Sequence, residues 1–362
     1  MRVLLITPTS NQIITFRKFL IEKFQSKNIE VFTIAFDNEN KALIESRGIT
    51  HNCVSGTNRS LNPFKILSLK NNYVKIIQKI QPDIVFTFML KPNIFGVRAA
   101  KKAGVKKIFS MVEGAGDVFI NNGLKWKIIR SVVCRMYRKS FKYANKVFFL
   151  NNDDKAEFIE RKLVNEAKCE VIPGIGVDTE YFAYKPLKNY DTFIMIARML
   201  KTKGVIEYCK AARKVKKIYP QAVFNYLGAE GNIKVSDIQE YIDDGSIIYW
   251  GTTNDVRPYL EDCSVFVLPS YREGMPVAVM EAEAVGRAVI ATDVPGCRQA
   301  VIDGENGYLI ESRNVDALAE KMLMFLSDNQ LVEQMGISGR DLAVKSFDKN
   351  FVTDKLCNLA GL

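Results

Sequence analysis

A chain of 362 residues is too long for one ordinary hydrophobic core, so two domains of about 180 residues each are expected. Its composition, 48% hydrophobic and 25% charged, excludes a disordered protein, and seven scattered cysteines with no C-x2-C pair indicate neither a zinc site nor a disulfide framework. The net charge of +11 is uneven: residues 51–150 hold 19 Lys and Arg against 3 Asp and Glu, which suits that half to an anionic partner.

Val3-Leu-Leu-Ile6 reads as a buried strand and Phe16 to Gln25 as a helix ending near Lys27-Asn28, with Pro8-Thr-Ser-Asn-Gln12 as a polar connection between them. Val31-Phe-Thr-Ile34 is the next strand. His51, the only histidine, falls in a polar connection and reads as an ordinary surface residue. A basic helix over about 63–80 precedes a strand at Ile84-Val-Phe-Thr87, a helix at Phe95–Ala103 and a strand at Lys107–Met111. Leu124 to Tyr143 carries seven cations among apolar and aromatic residues at helical spacing, a pattern that fits an anionic bilayer surface or, alternatively, a core helix with a solvated basic face. Val147-Phe-Phe-Leu150 follows as a strand, and Asp153-Asp154 reads as the start of a helix to Lys162 rather than as a metal-holding D-x-D pair. The strand at Glu170 runs into a Gly/Pro-rich turn, and residues 183–190 read as a linker.

A second βα series starts at Thr192-Phe-Ile-Met-Ile-Ala197, with strands ending at Tyr226-Leu-Gly228 and Tyr249-Trp-Gly251. The alternation predicts an α/β protein with a doubly wound parallel sheet in each domain, residues 1–185 and 186–346, followed by an amphipathic tail at 347–362. No apolar run reaches the roughly 18 residues of a transmembrane helix. The odd cysteine count and the lack of a signal-like start favour the cytoplasm.

The most informative stretch is Ser270-Tyr-Arg-Glu-Gly-Met-Pro-Val-Ala-Val-Met-Glu281. It follows the apolar strand Val265-Phe-Val-Leu268, places Pro276 in the first turn of a helix and ends that helix at Gly286. Glu273 thus lies at the carboxyl end of a strand, where open α/β sheets bind ligands, with free amides and a helix dipole behind it. The spacing of Glu273 and Glu281 resembles the E-x7-E motif of the family 4 retaining glycosyltransferases. Thr292-Asp-Val-Pro-Gly-Cys-Arg298 and Asp303-Gly-Glu-Asn-Gly-Tyr-Leu309 resemble the segments that follow it, and Asp255 to Ser270 those that precede it.

The resemblance implies a GT-B fold, two Rossmann-like domains facing each other across a cleft, with the tail helix crossing back to the first domain. It implies that Arg198 and Lys203, in Ala197-Arg-Met-Leu-Lys-Thr-Lys-Gly204, bind the donor diphosphate, chemistry suited to a planar Arg fork and a Lys point charge. Glu281 would hold the ribose hydroxyls, and Glu273 with the amides of Gly274 and Met275 would hold the donor sugar. Trp250 and Thr252 belong to the segment expected to line the base pocket, although Trp250 reads equally as core packing. With no D-x-D pair at a strand end, no metal and no separate cofactor are expected; the donor is a nucleotide sugar, UDP-linked by resemblance.

Arg59-Ser-Leu-Asn-Pro-Phe64 and Val112-Glu-Gly-Ala-Gly-Asp-Val-Phe119 resemble the subgroup that builds lipid-linked bacterial glycans. By that resemblance Asn11, Arg17, Arg59 and Gly114 are candidate acceptor-binding residues, and Glu113 joins Glu273 as a candidate catalytic residue. The implied acceptor is an undecaprenyl-diphosphate-linked sugar, met on the anionic cytoplasmic face of the inner membrane. Two features depart from the family: the glycine pair common after the first strand is missing, and no histidine stands in the Glu113 loop. A GT-B sugar-nucleotide epimerase is the nearest alternative. A nucleic-acid-binding protein is a further one, which no helix-turn-helix or RRM-type signature supports.

Overall fold

The computed structural model describes residues 1–54, 63–114, 116–120 and 123–362. Arg59 lies outside them. The chain forms two compact units, residues 1–175 with 352–362, and residues 176–351.

In the first unit seven strands form one parallel sheet: β1 (Arg2–Ile6), β2 (Glu30–Ala35), β3 (Thr50–Cys53), β4 (Ile84–Phe88), β5 (Lys107–Val112), β6 (Lys146–Phe149) and β7 (Cys169–Val171). Their order is β3-β2-β1-β4-β5-β6-β7, so the winding reverses between β1 and β4. Helices cover both faces, which is why β4 reads Ile-Val-Phe-Thr-Phe with every residue buried rather than alternating. Seven-stranded pairing needs β3, a strand the polar sequence Thr-His-Asn-Cys conceals. Its inward residue is His51, 5% exposed, with Nδ1 2.9 Å from Thr33 Oγ1 and Nε2 3.1 Å from the Asp37 carbonyl. The surface reading of His51 is therefore corrected: both ring nitrogens are engaged inside the fold.

A second correction concerns the start of the chain. The connection after β1 is already helical from Ser10 to Thr15, breaks at Phe16-Arg17, and resumes over Lys18–Ser26. Ser10 is anchored by Asp37, whose carboxylate accepts from its backbone N–H at 3.2 Å and from its hydroxyl, so tertiary contact supplies the helix start that local sequence does not advertise.

In the second unit six strands form another parallel sheet: β8 (Thr192–Ile196), β9 (Val223–Leu227), β10 (Ile248–Tyr249), β11 (Val265–Leu268), β12 (Ala288–Thr292) and β13 (Gly307–Ile310). The order β10-β9-β8-β11-β12-β13 reverses between β8 and β11. The second unit starts at residue 176, ahead of the linker at 183–190. Residues 176–182 are bound into it: Val177 N–H donates to Phe347 O at 2.8 Å, and Arg340 donates to Thr179 O and Phe182 O, each at 3.0 Å. The closing helix, Lys349–Ala360, places residues 352–362 with the first unit, where Asp354 pairs with Lys23 at 2.5 Å and Leu362 O accepts from Lys27 at 3.1 Å.

Candidate functional site

In each unit the crevice outside the carboxyl ends of the two strands at the reversal is the natural ligand position. In the second unit these strands are β8 and β11. The loop after β8 carries Arg198 and Lys203, and the loop after β11 carries Glu273. Tyr271 N–H donates to Thr202 O at 2.8 Å, zipping the two loops together. Gly204 completes the approach: its φ is +75°, and a Cβ there would stand 2.1 Å from Pro269 O, so only glycine fits.

The result is an ion pair, Lys203 Nζ to Glu273 Oε1 at 2.5 Å, with the carboxylate side chain 10% exposed. Arg198 is exposed on the same loop, and its guanidinium makes no hydrogen bond or ion pair with the described residues. Behind Glu273, Gly296 (φ +83°) lies so close that a Cβ would stand 2.7 Å from the carbonyls of both Glu273 and Gly274. The turn then enters the Val277–Val285 helix, capped by Pro276 and stopped by Gly286 in the left-handed conformation. Met275 is buried at the helix entrance, with the Gly274 backbone partly open beside it.

Glu281 is the fifth residue of this helix. It is half-buried, its carboxylate has no partner among the described residues, and burial pushes its pKa up to about 7. Two residues on, Glu283 is fully buried and held by Asn306 Nδ2 at 2.7 Å, a structural use of a carboxyl group. Cys297, also fully buried, lies near Glu273 and Lys203; burial pushes its thiol well up, so it packs rather than reacts.

The core-packing expectation for Trp250 is corrected. It is 50% exposed and so is not a core residue. Its indole N–H donates to Asn225 Oδ1 at 2.8 Å and its ring meets Tyr259 edge-on at 5.7 Å. These side chains line a cavity of about 310 Å³ with Lys188 and Asp262, which precede β8 and β11 at their amino ends. The pleat explains this: Trp250 shares a sheet face with Ile248, whose register partner is Asn225. The indole is engaged there. Thr252 is exposed in the following loop with no hydrogen-bond partner among the described residues.

In the first unit the crevice lies at β1 and β4. Arg17, 1% exposed, pairs through Nη2 with Glu113 Oε1 and stacks its guanidinium 3.9 Å above the Phe88 ring. Two candidates 96 residues apart thus form one unit, with Glu113 following β5 and Gly114 beside it at φ +137°. Asn11 is exposed in the Ser10–Thr15 helix. Gln12, from the polar Pro8–Gln12 stretch after the first strand, is brought to the same edge as Met89 and Lys91, which neither motif nor spacing marks. Lys91 is 7% exposed, and burial lowers its ammonium pKa.

Residues 2–151 match the family model described as glycosyl transferase 4-like, and residues 177–342 the one described as glycosyl transferases group 1. The chain is 29% identical to the Campylobacter jejuni N,N'-diacetylbacillosaminyl-diphospho-undecaprenol α-1,3-N-acetylgalactosaminyltransferase, over 99% of this chain and 98% of the relative. It is 28% identical to the Escherichia coli UDP-Gal:α-D-GlcNAc-diphosphoundecaprenol α-1,3-galactosyltransferase, over 83% and 81%. Among solved structures, Anabaena HepE in complex with UDP superposes with a TM-score of 0.82 over 100% of both chains, at 16% identity. A glycosyltransferase from Rickettsia africae superposes at 0.80 over 99% and 97%, at 19% identity.

Proposed function

The chain belongs to the glycosyltransferases that join a 4-like first half to a group 1 second half, and on that footing we propose that it is a retaining transferase using a UDP-sugar. It moves a hexose or N-acetylhexosamine, GalNAc or GlcNAc by preference, to an undecaprenyl-diphosphate-linked sugar in bacterial glycan assembly. The relatives' names support both substrate classes.

The observation that carries this reading is the second unit's crevice, where an unpaired Arg198 and the Lys203–Glu273 pair stand on adjoining loops at the switch point. A nucleoside diphosphate leaving group gathers negative charge as the glycosidic bond breaks, and pre-placed cations stabilise that charge without reorganising. Arg198 and Lys203 therefore do the work a divalent metal does elsewhere. Glu281 receives the ribose hydroxyls, and Glu273 with the adjoining amides orients the donor sugar. The acceptor hydroxyl attacks from the face the leaving group departs, giving its proton to the departing phosphate oxygen; no protein nucleophile is required. Glu113, fixed by Arg17, faces the acceptor side. With metal chelated by EDTA, a UDP-sugar is expected to raise the melting temperature and to yield an α-linked product with a polyprenyl-diphosphate sugar. Binding or turnover that requires added magnesium overturns the metal-free reading, and epimerised product without acceptor overturns transfer.

The enzyme works as a peripheral protein on the cytoplasmic face of the inner membrane, with no nucleic-acid partner. No helix among the described residues is long and apolar enough to cross a membrane. The Leu124–Phe141 helix supports contact instead. It buries Val133, Tyr137 and Phe141, while Leu124, Ile128 and Val132 stand exposed at i, i+4 and i+8 among exposed Lys125, Lys127 and Arg135. A solvated face has no use for three apolar side chains in line, whereas an anionic bilayer takes both, at about 1 kcal/mol per basic residue. Flotation with phosphatidylglycerol vesicles, lost when Leu124, Ile128 and Val132 become serine, is the expected result. Equal flotation with pure phosphatidylcholine, or none with either, counts against it.

A further inference from the structure

The first unit holds a second concave site, at the amino ends of β6 and β7 and so at the opposite end of the strands from the crevice at β1 and β4. The Leu124–Phe141 and Asn152–Glu160 helices both finish there, and residues that close them line a cavity of about 300 Å³. Its lining includes four cations, Arg138, Lys142, Lys162 and Lys168, and no carboxylate. Two of the four serve the helix ends. Arg138 donates to Lys162 O at 3.0 Å and Arg161 O at 3.2 Å. Lys168 donates to Lys142 O at 2.9 Å and Ala144 O at 2.7 Å. A carbonyl takes the hydrogen bond but leaves the charge uncancelled, and burial lowers the Lys168 ammonium pKa. The two helix ends together offer only about one unit of negative partial charge. Lys142 and Lys162 are surplus to that need, and neither forms an ion pair among the described residues. Lys162 also stands at φ +54°, in the place after a helix that glycine usually takes. Its N–H donates to Ile159 O at 2.8 Å, and Leu163 N–H donates to Phe158 O at 2.9 Å, which complete that helix stop.

Four like charges around one hollow raise its potential and favour an anion. The rest of the lining says which kind. Phe141, Ile159, Leu163 and Val164 add apolar surface beside the cations. A free phosphate or a nucleic-acid backbone makes no use of that surface, whereas a phosphate carried on acyl chains uses both. The position agrees. Lys142 follows Leu124 by eighteen residues, five turns of helix, and at φ −58°, ψ −26° it is still helical. It therefore continues the face on which Leu124, Ile128 and Val132 stand exposed. Its ammonium lies 4.7 Å from the centroid of the exposed Tyr143 ring, an amphipathic side chain suited to a bilayer interface. We propose that this cavity is a binding site for the headgroup phosphate of an anionic phospholipid, with Lys142 and Lys162 as its charge-assisted contacts and the apolar lining against the start of an acyl chain. The assignment rests on the membrane-surface reading above and deepens it, from a diffuse attraction to a discrete seat. Because the seat lies at the amino ends of the strands, its lipid is a tether and not the acceptor undergoing transfer.

The test titrates dihexanoyl phosphatidylglycerol, kept below its micelle concentration, into the full chain and reads binding by calorimetry. Wild type is expected to bind the lipid saturably. The double variant Lys142→Ala/Lys162→Ala removes no ion pair and should keep the wild-type melting temperature. It is expected to bind at least about tenfold more weakly, the scale of losing charge-assisted contacts to a phosphate. Lys75→Ala/Lys79→Ala makes the same change of net charge at exposed positions of the Pro63–Ile80 helix. Its affinity should stay within about twofold of wild type, because exposed charges outside the cavity are screened. Absence of saturable binding, equal loss in both double variants, or equally tight binding of dihexanoyl phosphatidylcholine overturns the site. Glycerol phosphate or a short single-stranded oligonucleotide binding as tightly as the lipid overturns the lipid assignment. Flotation with phosphatidylglycerol vesicles, run on the same proteins, reports the membrane-surface reading separately. If wild type floats but binds no short-chain lipid, the failure falls on the cavity alone; if it does neither, both readings fail.

Discussion

Lys203→Ala is expected to lower kcat/KM for the UDP-sugar by about 10²–10³, the usual cost of removing one pre-placed electrostatic group from a reaction centre. A second effect follows from the same contact. The Glu273 side chain is 10% exposed and its ionic partner among the described residues is Lys203 at 2.5 Å, so the substitution leaves a mostly buried carboxylate without its cation. Breaking a buried pair from one side costs roughly 3–5 kcal/mol, and the 28% exposure of Lys203 places this pair below that range. The variant should therefore both melt earlier and turn over slowly. The double variant Lys203→Ala/Glu273→Gln separates the two, since it removes the stranded charge and should recover the melting temperature but not the rate. Recovery of the rate as well would show that Lys203 serves the fold alone. Arg198→Ala, lacking any such contact to lose, should cost donor affinity with no change in apo stability.

The second large effect concerns Glu281 and pH. Its pKa is raised from 4.5 to about 7 by burial alone. A carboxyl raised in the folded state adds stability that is fully present below pH 4.5 and lost as pH rises through 7. The apo protein thus gives up about 3 kcal/mol at most between those limits, from 1.36 kcal/mol per pKa unit. Ribose hydroxyls donate to a carboxylate but gain less from a carboxylic acid, so UDP-sugar binding draws the proton off. Affinity for the UDP-sugar should rise severalfold from pH 6 to pH 8. In Glu281→Gln that dependence should vanish, donor binding should weaken at least tenfold, and the apo protein should melt higher at pH 8. Titration calorimetry of a UDP-sugar at both pH values, in buffers of different ionisation enthalpy, reads the proton release directly. A pH-independent affinity in wild type would remove Glu281 from the donor contacts.

Much of this protein is legible in its sequence because some local signals depend on few neighbours. Val265-Phe-Val-Leu268, Pro276 and Gly286 each announce a strand, a helix entrance and a helix stop, and the structure places all three there. A parallel sheet buried on both faces writes its strands as apolar runs, so the order of βα units can be read along the chain. Glu273 after β11 and Arg198 after β8 follow from that order, since ligand sites lie at carboxyl ends.

Other features depend on contacts distant in sequence, and local pattern carries no trace of them. β3 is polar and exists because β2 offers it an edge, and His51 turns inward because Thr33 and the Asp37 carbonyl receive its nitrogens. The helix from Ser10 to Thr15 begins where Asp37 holds Ser10. Trp250 is assigned by the pleat of an edge strand, which one position of register would have reversed. Arg17 finds Glu113, Lys203 finds Glu273, and Gln12 finds Met89 only when separate loops converge at the reversals of the two sheets. Short-range periodicity and motif carry the fold class, the family resemblance and the identities of the charges after β8 and β11. Which charges are paired and which carboxyl is raised toward neutrality show only in the folded protein, because burial and partnership are properties of the packed whole.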